Sequence, residues 1–151
     1  MELKQLTAKE FVPMVVAGAE RLTSNVELIN SLNVFPVPDG DTGTNMNMTF
    51  VSGAENLKSS QASHVGELAG ALAKGLLMGA RGNSGVILSQ IFRGFSQRIK
   101  EEEVLDAKHF AQAFLGGVES AYKAVMKPVE GTILTVARES ALANADRKSV
   151  V

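Results

Sequence analysis

The sequence predicts an all-α protein, an antiparallel helical bundle or barrel of about seven helices. Three observations predict it. Apolar residues recur at helical spacing in one segment after another, no stretch alternates apolar with polar residues as a half-buried strand does, and three polar, glycine-bearing loops separate the helical runs.

The first helix is announced by Thr7-Ala8-Lys9-Glu10, which fits a capping box, and by Phe11, Met14, Val15 and Leu22 at helical intervals, so it should run from about residue 8 to 23. A shorter piece through Val26, Leu28, Ile29 and Leu32 follows, and a Pro/Gly/Asp loop then interrupts the pattern until about residue 44. Met46, Phe50 and Leu57 mark one face of a third helix. Ser59 to Ser63 reads as a polar connection, after which Val65, Leu68, Ala69, Leu72 and Leu76 give an amphipathic stripe. Gly79, Gly82 and Gly85 punctuate a second loop, and Ile87, Ile91, Gly94 and Phe95 restart a helical face toward Lys100. The acidic run Glu101 to Glu103 precedes a long helix carrying Phe110, Phe114, Val118, Ala121 and Val125. Lys127-Pro128-Val129-Glu130-Gly131 makes the third break, with Thr132 the expected cap of a last helix through Leu134, Ala137 and Leu142. Gly66, Gly70, Gly75, Gly116 and Gly117 lie within these helical patterns, where glycine costs stability, so they are expected to permit close helix contacts.

A length of 151 residues suits one domain with a sizeable core, spanning 1–151. The formal charge of −1 argues against non-specific nucleic-acid binding, and the absence of cysteine rules out disulfides and thiolate metal sites. No sustained apolar stretch suggests a signal peptide or membrane span, so a cytoplasmic location is expected.

The first loop, Pro36-Val37-Pro38-Asp39-Gly40-Asp41-Thr42-Gly43-Thr44-Asn45-Met46, carries the most chemistry. Its prolines fix φ, its glycines allow tight turns, and Asp39 and Asp41 offer the hard oxygen ligands that Mg²⁺ prefers. Thr44 or Asn45 is the expected cap of a helix whose free N–H groups face a bound anion. Asp-Gly-Asp is also an ordinary solvated turn; the flanking prolines and the second glycine-rich loop favour a ligand site. An EF-hand is rejected, because Thr44 stands where that loop needs glycine and Phe50 where it needs a bidentate glutamate.

Gly79-Ala80-Arg81-Gly82-Asn83-Ser84-Gly85 suits phosphate, since successive N–H groups at a helix start form an anion nest. The alternative is a plain helix end followed by Asn83 or Ser84 as a new cap. It is neither a Walker A sequence nor a nucleophile elbow, because no Gly-Lys-Ser/Thr follows and Val86 replaces the second glycine of G-x-S-x-G. Arg81 faces either phosphate or solvent. Gly131-Thr132 taken alone is an ordinary cap. His64 and His109 show no triad spacing and read as surface residues, while Met46 and Met48 read as packing or pocket lining.

Ser31 to Met46 closely resembles the first nucleotide loop of the DhaL-like (DAK2) kinase domain family. Gly75 to Gln90 and Lys127 to Val136 extend the likeness over almost the whole chain, and within the family it is nearest to the amino-terminal domain of bacterial fatty acid kinases. The resemblance implies a helical barrel that binds ATP/ADP through two Mg²⁺ ions held by loop carboxylates. Asp39 and Asp41 match the metal-binding, catalytic aspartates, and Asn33 stands nearest to where dihydroxyacetone kinases have a further one. Thr42, Thr44, Asn45, Gly82, Asn83, Ser84 and Gly85 match positions around the phosphates, and Thr132 lies in the third motif.

In fatty acid kinases a separate fatty-acid-binding protein presents the acyl carboxylate, which becomes an acyl phosphate. A dihydroxyacetone-type (glycerone) kinase and a non-catalytic helical binding module are the alternatives. The family domain is longer than this chain, so its last helices are expected to be missing, and the apolar flank left open is expected to favour a homodimer.

Overall fold

The computed structural model describes residues 5–32, 40–124 and 139. Among them six α-helices follow in order: α1 (Ala8–Ser24), α2 (Val26–Ser31), α3 (Thr42–Lys58), α4 (Val65–Gly79), α5 (Gly82–Ile99) and α6 (Ala107–Ala124). The all-α expectation holds. The last expected helix, with its cap Thr132, falls outside the described residues. One feature the pattern did not foretell is a two-residue antiparallel pair, β1 (Gln5–Leu6) with β2 (Leu105–Asp106), which buries Leu6 against Leu105 beside the entrances of α1 and α6.

Helices α3, α4, α5 and α6 pack in sequence as neighbours, and α1 lies over α3 and α4. Along α4 the stripe Val65, Leu68, Ala69, Leu72 and Leu76 is wholly buried, joined in the core by Phe11, Leu57, Phe95 and Ile99. Rings of Phe50, Phe92, Phe95, Phe110 and Phe114 meet edge-on or stacked where α3, α5 and α6 converge. The capping box forms: the Glu10 carboxylate accepts the Thr7 backbone N–H at 3.1 Å. The acidic run after α5 turns out to use its backbone, since the carbonyls of Glu102 and Glu103 accept the first N–H groups of α4 at 2.9 and 3.0 Å.

Close approach governs the packing of α3 on α4. A Cβ on Gly75 would lie 2.6 Å from the Asn56 Cβ and 2.8 Å from the Gly53 Cα, so a methyl group there has no room. Gly66, Gly116 and Gly117 are likewise pressed against neighbouring helix or side-chain atoms, as expected. Gly70 is the exception: nothing lies within 4 Å of its Cβ position, because it faces solvent from the outer side of α4. The buried face of α3 also differs from expectation. Leu57 is buried but Met46 and Phe50 are only half-buried, and Gly43, Thr49, Gly53 and Ala54 are the other buried residues of α3; Gly53 lies against Leu72 and Leu76 of α4, and Gly43 against Val26 and Asn30 of α2.

Candidate functional site

Gly40, with φ +66°, turns the chain into α3. Exposed Asp41 is the residue before the helix, and its carbonyl accepts the Asn45 N–H at 2.9 Å as the first helical bond. The residue before the helix therefore lies three or four positions earlier than the expected cap at Thr44 or Asn45. Thr44 and Asn45 lie inside its first turn and are not its cap, because the positive φ at Gly40 lets the helical geometry start at Thr42.

That first turn is fixed from two sides. On one, the Asn30 amide grips Thr44 twice: its Oδ1 accepts the Thr44 N–H and its Nδ2 donates to the Thr44 hydroxyl, both at 3.0 Å. Gly43 makes this contact possible, since a Cβ there would come within 2.5 Å of the Val26 carbonyl oxygen. On the other side stands the second loop. Ala80 and Arg81 are extended, and Gly82, with φ +67°, swings the chain into α5. Arg81, not Asn83 or Ser84, is the residue before the helix; Asn83 and Ser84 sit in its first turn because the reversal occurs at Gly82.

The two loops touch. A Cβ on Gly82 would lie 2.5 Å from the Asn45 Nδ2, so the Asn45 amide rests directly on the backbone of Gly82. Beneath them Thr49, 0% exposed, links both: its hydroxyl donates to the Asn45 carbonyl at 2.7 Å and accepts the Arg81 N–H at 3.1 Å. Gly85 packs on the same hydroxyl, and Gly79 packs on Ser52, whose hydroxyl donates to the Gly75 carbonyl at 2.8 Å. Sequence reasoning missed Thr49 and Asn30. The spacing of Asn45, Thr49, Ser52 and Asn56 along one side of α3 could have suggested a polar seam.

Two helix N-termini thus open at one rim beside an exposed carboxylate. In α5 the first i→i−4 bond is from the Gly85 N–H to the Arg81 carbonyl at 3.2 Å, so the N–H groups of Gly82, Asn83 and Ser84 precede the helical ladder. Such groups, with the positive ends of α3 and α5, suit phosphate oxygens. Asp41, with the Thr44 hydroxyl and the Asn45 amide nearby, is a hard-oxygen set. It fits Mg²⁺ that completes its shell with water and phosphate, not a protein-only cage. Among the described residues no three acidic or histidine side chains cluster to make such a cage. Asn33, Asp39 and Thr132 lie outside the described residues, so the aspartate pair is seen only through Asp41.

Two hollows lie elsewhere. One of about 220 Å³ is lined by α1 and α3 side chains and one of about 190 Å³ by α4 and α5 side chains; neither includes Asp41 or residues 82–85. An anion at the rim would be held by directed N–H groups. His64 precedes α4 at the opposite end from the second loop, about 22 Å away for a helix of that length. His109 bonds Asp106 at 3.0 Å at the start of α6. Neither adjoins the rim.

A family model described as the DAK2 domain matches residues 36–150. The chain belongs to the DAK2 domain family. This is a kinase-related family whose members bind nucleotide, and a helical bundle with paired loops at one end accords with it. An uncharacterized protein of Staphylococcus epidermidis is 56% identical over 144 residues, covering 95% of this chain and 26% of that protein. An uncharacterized protein of Staphylococcus aureus is 54% identical over 145 residues, covering 96% of this chain and 26% of its own length. The DAK2 chain therefore spans about a quarter of the curated relatives it matches. No helix among its described residues is long and apolar enough to cross a membrane.

Proposed function

We propose that this DAK2 domain is the nucleotide-binding part of a fatty acid kinase, transferring the γ-phosphoryl group of ATP to an acyl carboxylate presented by a fatty-acid-binding protein. The observation that carries the reading is the meeting of Asp41, Asn45 and Gly82 at one rim, where two helix N-termini converge. Asp39, Asp41 and Asn33 are the residues assigned to hold two Mg²⁺ ions, which when bound would neutralise charge on the nucleotide phosphates. Residues 82–85, with Thr42, Thr44, Asn45 and Thr132, are assigned to the phosphates. The N–H groups of Gly82, Asn83 and Ser84 donate to the oxygens of the transferred group as charge shifts onto the leaving ADP.

In the transfer itself a carboxylate oxygen of the acceptor forms the new bond to phosphorus while the bond from the γ-phosphorus to the bridging oxygen breaks, giving acyl phosphate and ADP. The acceptor is already ionised at neutral pH and needs no general base. That accords with both histidines lying away from the rim.

Asp41→Ala is expected to abolish Mg·ATP binding in calorimetry while helical circular dichroism stays intact. Unchanged binding would refute the assignment. ATP consumption measured with and without a lipid-loaded fatty-acid-binding protein separates this reading from a binding module without turnover. Supplying dihydroxyacetone instead tests the glycerone-kinase alternative.

A further inference from the structure

Asn30 is half-buried on α2, while Thr44, which it grips, is exposed in the first turn of α3. The chemistry of that grip fixes more than position. A backbone N–H can only donate, so the amide atom facing the Thr44 N–H is the oxygen, and the NH₂ group is thereby the one that faces the Thr44 hydroxyl. The hydroxyl oxygen therefore accepts from Asn30, and its own proton is left for another partner. The amide lies close against α3: a Cβ on Gly43 would come within 2.9 Å of the Asn30 Oδ1 and 3.0 Å of the Ile29 Cβ.

Thr23 and Thr49 spend their hydroxyl protons inside the helix, donating to the Ala19 and Asn45 carbonyls, each four residues back, at 2.9 and 2.7 Å. Thr44 differs. Four residues before it is Gly40, which at φ +66° stands outside the helix, and among the described residues no carbonyl takes the Thr44 proton. The Thr44 N–H is itself committed to Asn30, so at this position α3 has the hydroxyl and not the backbone to offer an anion.

An exposed hydroxyl beside Asp41 has two uses, as an oxygen ligand to a cation or as a proton donor to a phosphate oxygen. Accepting from an amide N–H draws on the lone pairs that a cation needs and leaves the proton, which only an acceptor can use. Phosphate oxygens are acceptors, and a hydrogen bond to a charged group is stronger than one to a neutral group. We propose that Asn30 is a positioning residue for the nucleotide: it holds the Thr44 hydroxyl with its proton turned outward, as a donor to a phosphate oxygen and not as a metal ligand. Which anion arrives rests on the phosphotransferase reading above; the polarity of the hydroxyl rests on the amide geometry alone.

Asn30→Asp in the full-length protein reverses that polarity without breaking the grip. A carboxylate accepts the Thr44 N–H as before, but it has no proton to give, so the hydroxyl must donate inward. Without nucleotide the variant should melt no lower than the parent, since a negative charge beside the start of α3 is favourable. Mg·ADP affinity in calorimetry should nevertheless fall about tenfold. A grip that served only to hold α2 on α3 would leave that affinity unchanged, so a parent-level value overturns the proposal. Thr44→Val separates the hydroxyl from the added charge: alone it should lose about tenfold, and combined with Asn30→Asp it should lose at least about fivefold less than the product of the single losses. Losses that multiply in full overturn the proposal in favour of charge. Thr44→Ser keeps the donor and should bind Mg·ADP like the parent; a loss as large as that of Thr44→Val also overturns it. Mn²⁺ affinity without nucleotide, read by electron paramagnetic resonance, should be equal in Thr44→Val and the parent, and a drop would make the hydroxyl a metal ligand and refute the assignment. If the parent protein binds no Mg·ADP, the nucleotide reading fails and this inference with it, whereas binding indifferent to Asn30→Asp sinks this inference alone.

Discussion

Replacing Thr49 with valine removes one buried hydroxyl and keeps the side chain's shape, so its effect isolates the link between the two loops. In the native protein that hydroxyl accepts the Arg81 N–H at 3.1 Å and donates to the Asn45 carbonyl at 2.7 Å. The Asn45 carbonyl keeps its helical partner after substitution, whereas the Arg81 N–H loses its acceptor. Leaving such a donor without a partner costs about 1–3 kcal/mol. For a domain of this size each kcal/mol lowers Tm by about 2–4 °C, so Thr49→Val should melt about 2–12 °C lower.

The second consequence concerns the site. With the Arg81 link gone, residues 82–84 are no longer held in register with Asn45, and reforming that register on binding costs about 1 kcal/mol, or about fivefold in Mg·ADP affinity. Thr49→Ser keeps the hydroxyl and should retain nucleotide affinity despite losing a methyl group. Thermal unfolding and calorimetry on the three proteins decide the matter. If Thr49→Val binds as tightly as the parent, the hydroxyl does not register the loops.

Two helical glycines should respond in opposite directions. Gly70→Ala places a methyl group in open space and should stabilise by about 0.5–1 kcal/mol, whereas Gly75→Ala drives one into Asn56 and Gly53 and should destabilise by about 1–3 kcal/mol, both read by urea unfolding. Equal effects would show that α3 and α4 are not held at this spacing. At the start of α6 the His109 backbone N–H donates to Asp106 at 2.7 Å and holds its carboxyl below the usual value of 3.8; the nearby His109 and Lys108 charges act in the same direction, while burial opposes. A lowered carboxyl contributes stability that is present above pH 3.8 and lost as pH falls through the folded value. Asp106→Ala should therefore cost about 0.5–2 kcal/mol at pH 7, and the gap should narrow on acidification below pH 3.8 as the ionised form is lost. A gap that does not change between pH 7 and acid would refute the contribution of the charged cap.

Long amphipathic elements were legible from their residues. The five-residue stripe of α4 is buried as its spacing required, and the Thr7/Glu10 box forms, because both depend on neighbours within a turn or two. Helix starts beside the two loops were less legible. They depend on positive φ at Gly40 and Gly82, and sequence marks glycine without saying which glycine adopts it. The inner face of α3 was misjudged for a related reason: Met46 and Phe50 are the apolar candidates, yet Gly53 is pressed against α4 and Gly43 against α2, close approaches that only the tertiary packing reveals.

By itself the sequence determined an all-α chain, the break between α4 and α5 and its place in the DAK2 domain family, since periodicity and motifs are local properties. Only the tertiary structure decided that Asn45 lies on Gly82, that Asn30 grips Thr44 and that Thr49 ties the loops from below. Those contacts join residues 14 to more than 30 positions apart, and their distances are set by how closely whole helices pack.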